Sequence, residues 1–252
     1  MEILKVEDLY KNFGGLQILH GISFTVKAGE KLALIGPNGA GKTTLFNVLG
    51  GQLPASGGRI YLAGKEITTL APERRLHLGL ARSFQLNNLF FNLSLLDNVL
   101  LALYGADSSH LQMFYPLDDR RDLLNEAQRI LEPVGLWERR FETVATFSYG
   151  EQRLVEIAFS LASKPKIVLL DEPSAGLPTA EAAEVADTIR NLLGNATLIF
   201  CAHDMDLVFH LAEKIMVLYF GELIACGLPH EIRSNSRVQE IYLGTDGPVE
   251  HA

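Results

Sequence analysis

The sequence predicts an α/β fold with a mostly parallel sheet, an antiparallel β layer near the N-terminus and a helical insertion. Three observations support this prediction. Short apolar strands alternate with helices in the last third of the chain, which is typical of a parallel sheet covered on both faces. The N-terminal stretch shows the period-2 alternation of antiparallel strands. The middle of the chain is mostly helical and loop-like.

The elements follow from local patterns, taken in chain order. Alternating apolar and polar residues predict two antiparallel strands in ILKVEDLYKNF and QILHGISFTVKAGE, and a short hairpin in GGRIYLAGKEI. Buried strands are predicted in KLALIG, KIVLLDEP and TLIFCAHD, and a closing hairpin in KIMVLYFGELIACG. Helices are predicted in KTTLFNVLGG, LSLLDNVLLALYG, RDLLNEAQRILEPVGL, TAEAAEVADTIRNLLG and MDLVFHLAE.

We expect a single domain over residues 1–252. Within it, residues 1–86 and 163–252 form the α/β core with its antiparallel layer, and residues 87–162 form a helical subdomain. This length is enough for one large domain with a substantial core.

Composition excludes several classes of function. The formal net charge is −8 and no Lys/Arg run forms a basic stripe, which argues against a nucleic-acid partner. No apolar run reaches the roughly 20 residues that span a bilayer, and the acidic N-terminus is unlike a signal peptide. A cytoplasmic protein fits best. Cys201 and Cys226 lie too far apart for a metal-type pair, and we expect both in the core.

The stretch GPNGAGKTT matches the phosphate-loop pattern G-x-x-x-x-G-K-[ST], with a strand before it and a helix after it. Its glycines let several backbone N–H groups converge on a phosphate, and the helix adds its positive dipole end. Lys42 would reach the β- and γ-phosphates, and the Thr43 hydroxyl would bind Mg²⁺. A glycine-rich turn that merely begins a helix is the weaker alternative. The candidate nucleotide-binding residues are Gly36, Pro37, Asn38, Gly39, Ala40, Gly41, Lys42, Thr43 and Thr44.

The stretch KIVLLDEP contains the candidate residues for binding Mg²⁺ and activating water. Asp171 emerges at the C-terminal end of a buried strand, the edge at which open α/β sheets bind ligands, and it could hold Mg²⁺. Glu172 could activate a water for attack on the γ-phosphate. Alternatively, the acidic pair merely begins a loop before Pro173. The two motifs together predict a nucleotide triphosphatase without specifying which kind.

The stretch FSYGEQ contains a capping box, in which Ser148 accepts from a free N–H at a helix start and Glu151 reaches back to Ser148. With the two motifs above, it makes the chain resemble the ATPase subunit of an ABC transporter from Leu4 to Gly244. That family's signature reads L-S-G-G-Q. Ser148 and Gly150 match it, whereas Tyr149 and Glu151 depart from it. We expect Glu151 to point away from the nucleotide.

The resemblance implies further site residues. Gln85 matches the glutamine that senses Mg²⁺, His203 matches the histidine that contacts the γ-phosphate, and Phe13 matches the aromatic residue that stacks on adenine. On their own, His203 would be a satisfied histidine at a strand end and Phe13 a core residue. The family's S-A-L-D is replaced by residues 175–178, which lack the aspartate and end in Pro178, a residue suited to begin a helix.

The stretches ARSFQ, LLDNVL and EIRSNSRVQEIYLG resemble the branched-chain amino acid uptake subfamily. The resemblance implies ATP hydrolysis that drives an importer of branched-chain amino acids or related amide or carboxylate solutes. It implies Mg²⁺, permease subunits, a second ATPase subunit paired head to tail, and indirectly a periplasmic or extracellular solute-binding protein. The location would be the cytoplasmic face of the cell membrane. A soluble, non-transport ABC ATPase serving as an assembly or repair scaffold is the alternative.

The stretch from Leu86 to Leu96 is unusually apolar. Several large apolar residues in a short, polar-flanked segment indicate a docking groove for a helix of the permease. Burial within the helical subdomain is an equally good interpretation.

Overall fold

The chain is built on two β sheets, and the computed structural model describes residues 1–82, 89–106, 121–175 and 182–243. The described strands are β1 Glu2–Phe13, β2 Leu16–Lys27, β3 Lys31–Ile35, β4 Gly57–Leu62, β5 Lys65–Glu66, β6 Leu80–Arg82, β7 Ile167–Asp171, β8 Thr197–Cys201, β9 Lys214–Tyr219 and β10 Glu222–Gly227. The first sheet is antiparallel, in the order β2-β1-β4-β5. The second has the order β10-β9-β3-β8-β7-β6, parallel throughout except for β10.

Helices cover both faces of the six-stranded sheet and form a separate layer in the middle of the chain. Their bounds are α1 Lys42–Gly50, α2 Pro72–His77, α3 Leu95–Ala106, α4 Arg121–Leu131, α5 Tyr149–Ser160, α6 Ala182–Leu193, α7 Met205–Leu211, α8 Pro229–Arg233 and α9 Ser236–Leu243. The predicted α/β fold class is confirmed. In the part of the chain that the structure describes, no helix is long and apolar enough to cross a membrane.

Alternate residues of the central strands pack into different cores. On β3, Leu32 and Leu34 face the core shared with α1 and the antiparallel sheet, whereas Ala33 and Ile35 face the core shared with α6 and α7. This is the pattern of a sheet buried on both faces. A third core joins α3, α4 and α5. The parallel sheet that carries the candidate site is thereby packed on both faces.

Several features differ from the sequence prediction. The strand β6 and the helices α2, α8 and α9 were not predicted, because segments of three to eight residues are too short for a clear periodic pattern and depend on tertiary contacts. β6 matters because it pairs with β7 and places Arg82 opposite Leu169. The predicted burial of both cysteines is wrong for Cys226, which is exposed on the edge strand β10, whereas Cys201 is buried.

Arg75 is a buried arginine that closes the C-terminal end of α1. Its guanidinium donates to the carbonyls of Val48 (2.7 Å) and Leu49 (2.6 Å), which belong to the last turn of α1. It also donates to the carbonyls of Thr68 and Leu70, at 2.9 Å each. Burial lowers the pKa of Arg75 to about 10. A cation at this point satisfies the Leu49 carbonyl at the end of α1, adds a donor to the Val48 carbonyl, which already accepts from the Gly51 N–H, and complements the helix dipole.

Replacing Arg75 with Met should destabilise the fold, because the Leu49, Thr68 and Leu70 carbonyls would lose their donor and the Val48 carbonyl would keep only the Gly51 N–H. We expect the free energy of unfolding to fall by about 3 kcal/mol, measured by urea denaturation. Arg74→Met changes the exposed neighbour on the same helix and should have little effect. Equal stabilities of the two variants would contradict this role of Arg75.

Candidate active site

The predicted phosphate loop connects β3 to α1. At Gly36 a Cβ atom would lie 2.1 Å from the Leu218 carbonyl oxygen, so only glycine fits there. Gly41, with φ 103°, is the N-cap of α1 and contributes no side-chain cap. The first N–H groups of α1 therefore face the loop with the positive end of the helix dipole, an arrangement that binds anions. Thr43 is exposed in the first turn.

Lys42 points into this loop and is only 8% exposed. Its ammonium donates to the carbonyls of Gly36 (2.6 Å) and Pro37 (3.1 Å). Burial lowers the pKa of Lys42 below its ordinary value, although the charges of Asp171 and Glu172 act in the opposite direction. A cation is thus held in the loop by weak backbone acceptors that a phosphate oxygen could replace.

Asp171 ends β7 and is 2% exposed. Burial raises its pKa, even though Arg82 opposes this effect with an ion pair of 3.4 Å between its guanidinium and the Asp171 carboxylate. Arg82 is better bonded to the side-chain oxygens of Asn47 (2.6 Å) and Gln52 (3.0 Å). Arg82 lies within the stretch ARSFQ, but its partners are distant in sequence, so no local pattern predicted its place in the site.

Glu172 has an unusual backbone conformation, with φ 50°. Its N–H donates to the Cys201 carbonyl at 2.9 Å, and its carboxylate contacts His203 twice. The His203 backbone N–H donates to one carboxylate oxygen at 3.3 Å, and Nε2 of the ring lies 3.2 Å from the other. Burial raises the pKa of Glu172. Positive φ in a non-glycine residue is uncommon and costs about 1–3 kcal/mol, and such strain occurs preferentially at functional sites.

Sheet topology explains why these groups meet. The loop follows β3, His203 follows β8 and Glu172 follows β7, and these three strands are neighbours. Their carboxyl ends share one edge of the sheet. A cleft of about 480 Å³ opens in front of Glu172 and His203.

The FSYGEQ stretch forms the start of α5, and the predicted capping box is confirmed. The Glu151 N–H donates to Ser148 Oγ at 3.3 Å, and the Ser148 N–H donates to Glu151 Oε2 at 2.8 Å. The other Glu151 oxygen pairs with Arg139. Burial acts to raise the pKa of Glu151, but the bonds from Ser148 and the Arg139 charge outweigh it and lower that pKa. As expected, Glu151 is turned back onto the Ser148 N–H.

Other predicted residues stand apart from this centre or outside the described residues. Phe13 ends β1 and is 47% exposed, with the Lys11 ammonium 4.9 Å from its ring centroid. Ser148 and Gly150 lie at the start of α5, a different element from the loop, with Ser148 as the N-cap. Gln85 and residues 176–178 lie outside the described part of the chain.

The apolar stretch from Leu86 to Leu96 has residues both in the core of the helical layer and in an open cleft. Leu89, Leu95 and Leu96 are buried in the core of α3, α4 and α5. Phe90 is 58% exposed, and it lines a cleft of about 550 Å³ together with Leu101 and Phe159. Residues 86–88 lie outside the described residues.

Comparison with known proteins gives consistent results. Residues 19–175 match the family model described as ABC transporter, and residues 222–248 match the model described as branched-chain amino acid ATP-binding cassette transporter. The high-affinity branched-chain amino acid transport ATP-binding protein LivG of Salmonella typhimurium is 36% identical over 96% of this chain and 98% of its own length. BraF of Pseudomonas aeruginosa, which carries the same description, matches with the same identity and coverage.

Solved structures agree with these relatives. A nucleotide-free ATP-binding cassette from an ABC transporter matches with a TM-score of 0.83 and 31% identity, over 96% of this chain and 99% of that one. An ABC transporter cassette in its ADP conformation matches with a TM-score of 0.85 and 31% identity, over 97% and 99% of the two chains.

The buried carboxylate of Asp171 should make stability depend on pH. Because its pKa is raised on folding, the folded chain holds this proton more tightly than the unfolded chain. The stability that this group contributes is therefore lost as the pH rises from its ordinary value of 3.8 through the raised value. Asp171→Asn should unfold at a higher temperature than wild type near neutral pH, and the difference should shrink in acid.

Thermal unfolding of the nucleotide-free protein over a series of pH values measures this effect. Asp187→Asn, at an exposed carboxylate of α6, should leave the pH dependence unchanged. An Asp171→Asn variant that is less stable than wild type at neutral pH would show that burial of the charged Asp171 carboxylate does not destabilise the folded chain.

Proposed function

The chain belongs to the ABC transporter family of ATP-binding cassettes, and from this premise we propose that it is the ATP-hydrolysing subunit of an importer. The solutes are branched-chain amino acids or related amide or carboxylate compounds, as the names of the relatives and the C-terminal match suggest. The observation that carries the proposal is the convergence of the phosphate loop, Asp171 and the Glu172–His203 pair on one sheet edge. The relatives are transport proteins, which favours transport over a soluble scaffold.

ATP binding exchanges internal contacts for contacts with phosphate. The triphosphate lies along residues 36–44 and takes hydrogen bonds from the loop and from the start of α1. Lys42 leaves the Gly36 and Pro37 carbonyls for the β- and γ-phosphates, a stronger charge-assisted interaction. Phe13 offers an exposed flat ring to adenine, and its lack of a hydrogen-bonding group suits a weakly base-selective contact.

The residues present fit a magnesium ion. Thr43 has an exposed hydroxyl, and the Asp171 carboxylate is paired with Arg82 only over 3.4 Å, longer than a strong charge-assisted bond. Hydroxyl and carboxylate oxygens are the hard donors that Mg²⁺ prefers, with water and phosphate completing its shell. Gln85 is the third proposed ligand. The ion would neutralise charge on the phosphates during transfer.

Hydrolysis uses Glu172 as the base that orients and deprotonates water. Its raised pKa brings the carboxyl nearer to the operating pH, where general bases work best. His203 holds the carboxylate through its backbone N–H and ring. In the proposed reaction its exposed ring contacts the γ-phosphate.

Two ATPase subunits, identical or closely related, pair head to tail around the nucleotide. Ser148 and Gly150 of one subunit close over the ATP held by the loop of the other. Because ATP binds the closed pair better than the open pair, it shifts that equilibrium, and hydrolysis reopens it.

Attachment to the cytoplasmic face of the membrane comes from the permease subunits. Phe90 and Leu101, which are 58% and 44% exposed, line the 550 Å³ cleft and would receive a permease helix. A periplasmic or extracellular solute-binding protein acts on the other side of the permease and touches this chain only indirectly.

Glu172→Gln keeps the shape of the side chain and removes the proton-accepting oxygen. ATP should still bind, hydrolysis should fall about 10²–10⁴-fold, and ATP-dependent dimers should accumulate. Phosphate release and size-exclusion chromatography with ATP measure these effects. Glu213→Gln neutralises a carboxylate on the protein surface that pairs with Lys31, and should turn over normally. Unchanged turnover in Glu172→Gln would remove Glu172 from this role.

Ser148→Ala should weaken ATP-driven pairing more than it weakens folding, where the cap contributes about 1 kcal/mol. Ser94 caps α3 in the same way, with its Oγ accepting from the Asp97 N–H at 3.1 Å. Ser94→Ala is therefore a matched control with a similar loss of stability and normal pairing. If Ser148→Ala changes only thermal stability, as Ser94→Ala does, the serine is simply a helix cap.

A further inference from the structure

Arg153 connects α5, the helix that Ser148 caps, to the backbone of Asp171 and Glu172. Its side chain is 8% exposed, and one terminal nitrogen donates to the carbonyls of Asp171 (2.5 Å) and Glu172 (3.0 Å). The other terminal nitrogen pairs with Glu156 at 2.8 Å. These contacts lie within one subunit. The guanidinium fork thus holds a carboxylate of its own helix with one arm and the end of β7 with the other.

The contact between Arg153 and the Glu172 carbonyl helps to hold the unusual backbone conformation of Glu172. The strained conformation of Glu172, with φ 50°, persists only if the surroundings determine it on several sides. The Glu172 N–H is bound by the Cys201 carbonyl, and the Glu172 carbonyl accepts from both the Ala175 N–H (3.0 Å) and Arg153. His203 holds only the carboxylate. Arg153 therefore fixes the peptide that aims the catalytic side chain.

Arg153 also lies close to Ser148, the residue proposed to contact the ATP of the second subunit. It follows Ser148 by five residues, which is about 7.5 Å along a helix and roughly 140° around its axis. Ser148 can therefore face a second subunit while Arg153 faces the sheet of its own subunit. α5 is packed on two sides, because Ile157 lies in the core of α6 and α7, and Val155 and Ala158 lie in the core of α3 and α4. Such a helix moves as a unit.

We propose that Arg153 is a positioning residue that couples the two ATP sites of the pair. When Ser148 of one subunit engages the ATP of the other, α5 shifts, and Arg153 carries this shift to the Glu172 peptide of its own site. The inference rests on the proposed head-to-tail function and adds the route by which one site senses the other. Hydrolysis at each ATP site would then depend on whether the other ATP site of the pair is closed.

Arg153→Lys tests the contact without leaving Glu156 as a buried unpaired charge. Lysine can keep the ion pair but lacks the second arm that reaches the two carbonyls. We expect kcat for ATP hydrolysis to fall about 10- to 100-fold, since a misplacement of about 1 Å has an effect of this size. The KM for ATP and the unfolding temperature should stay close to wild type. Arg129→Lys, at an exposed helical arginine paired with Glu126, is the matched control.

A second pair of variants separates coupling from packing. The double variant Arg153→Met/Glu156→Gln removes both charges together and should show the same loss of kcat, even if it is less stable. Combining Ser148→Ala with Arg153→Lys should lower kcat by no more than the stronger single change, because both act on one route. Independent action would instead multiply the two losses.

The outcomes are distinct. Wild-type kcat in Arg153→Lys, beside an inactive Glu172→Gln, would overturn the coupling role and leave the proposed function standing. Multiplied losses in the Ser148→Ala combination would also overturn it. Absence of ATP hydrolysis in the wild-type chain would reject the proposed function, and this inference with it.

Discussion

The structure depends on one constraint: a charge that is withdrawn from water must have a partner, whether or not a ligand is bound. At the candidate ATP site these partners lie within the chain. Lys42 rests on two loop carbonyls, Asp171 on Arg82, and Glu172 on His203. Each partner can be replaced. The acceptors of Lys42 are neutral carbonyls, the contact between Asp171 and Arg82 is long at 3.4 Å, and the contact between Glu172 and His203 lies near solvent. The side chains of the candidate site are therefore already paired without a ligand, and we expect ATP binding to exchange these partners for phosphate.

The same constraint reconciles the two interpretations of the signature stretch. Ser148 satisfies an N–H at the start of α5 in the absence of nucleotide, and Glu151 is turned back onto Ser148 and Arg139, where its charge is paired. A carboxylate held in this way does not compete with phosphate. Under the proposed head-to-tail pairing, the helix cap and the phosphate contact would be two states of one serine, and the second subunit's ATP would decide between them.

Local patterns predicted the parts of the molecule that depend on local sequence. The phosphate loop, the strand before Asp171 and the capping box are each contained in a few consecutive residues, and the fold class followed from strand and helix periodicity. Arg82, Arg139 and Arg153 were not singled out, because their partners are distant in sequence and are brought near only by tertiary packing. Short β6 and exposed Cys226 were missed for the same reason.

A crystal structure of the Glu172→Gln variant with ATP and Mg²⁺ tests the exchange of partners most directly. The account predicts that Lys42 Nζ leaves the Gly36 and Pro37 carbonyls for the phosphates, and that Ser148 Oγ of the second subunit lies about 2.7–3.1 Å from a γ-phosphate oxygen. Glu151 should remain on the Ser148 N–H. Bound ATP with Lys42 still on its carbonyls and Ser148 facing solvent would contradict the account.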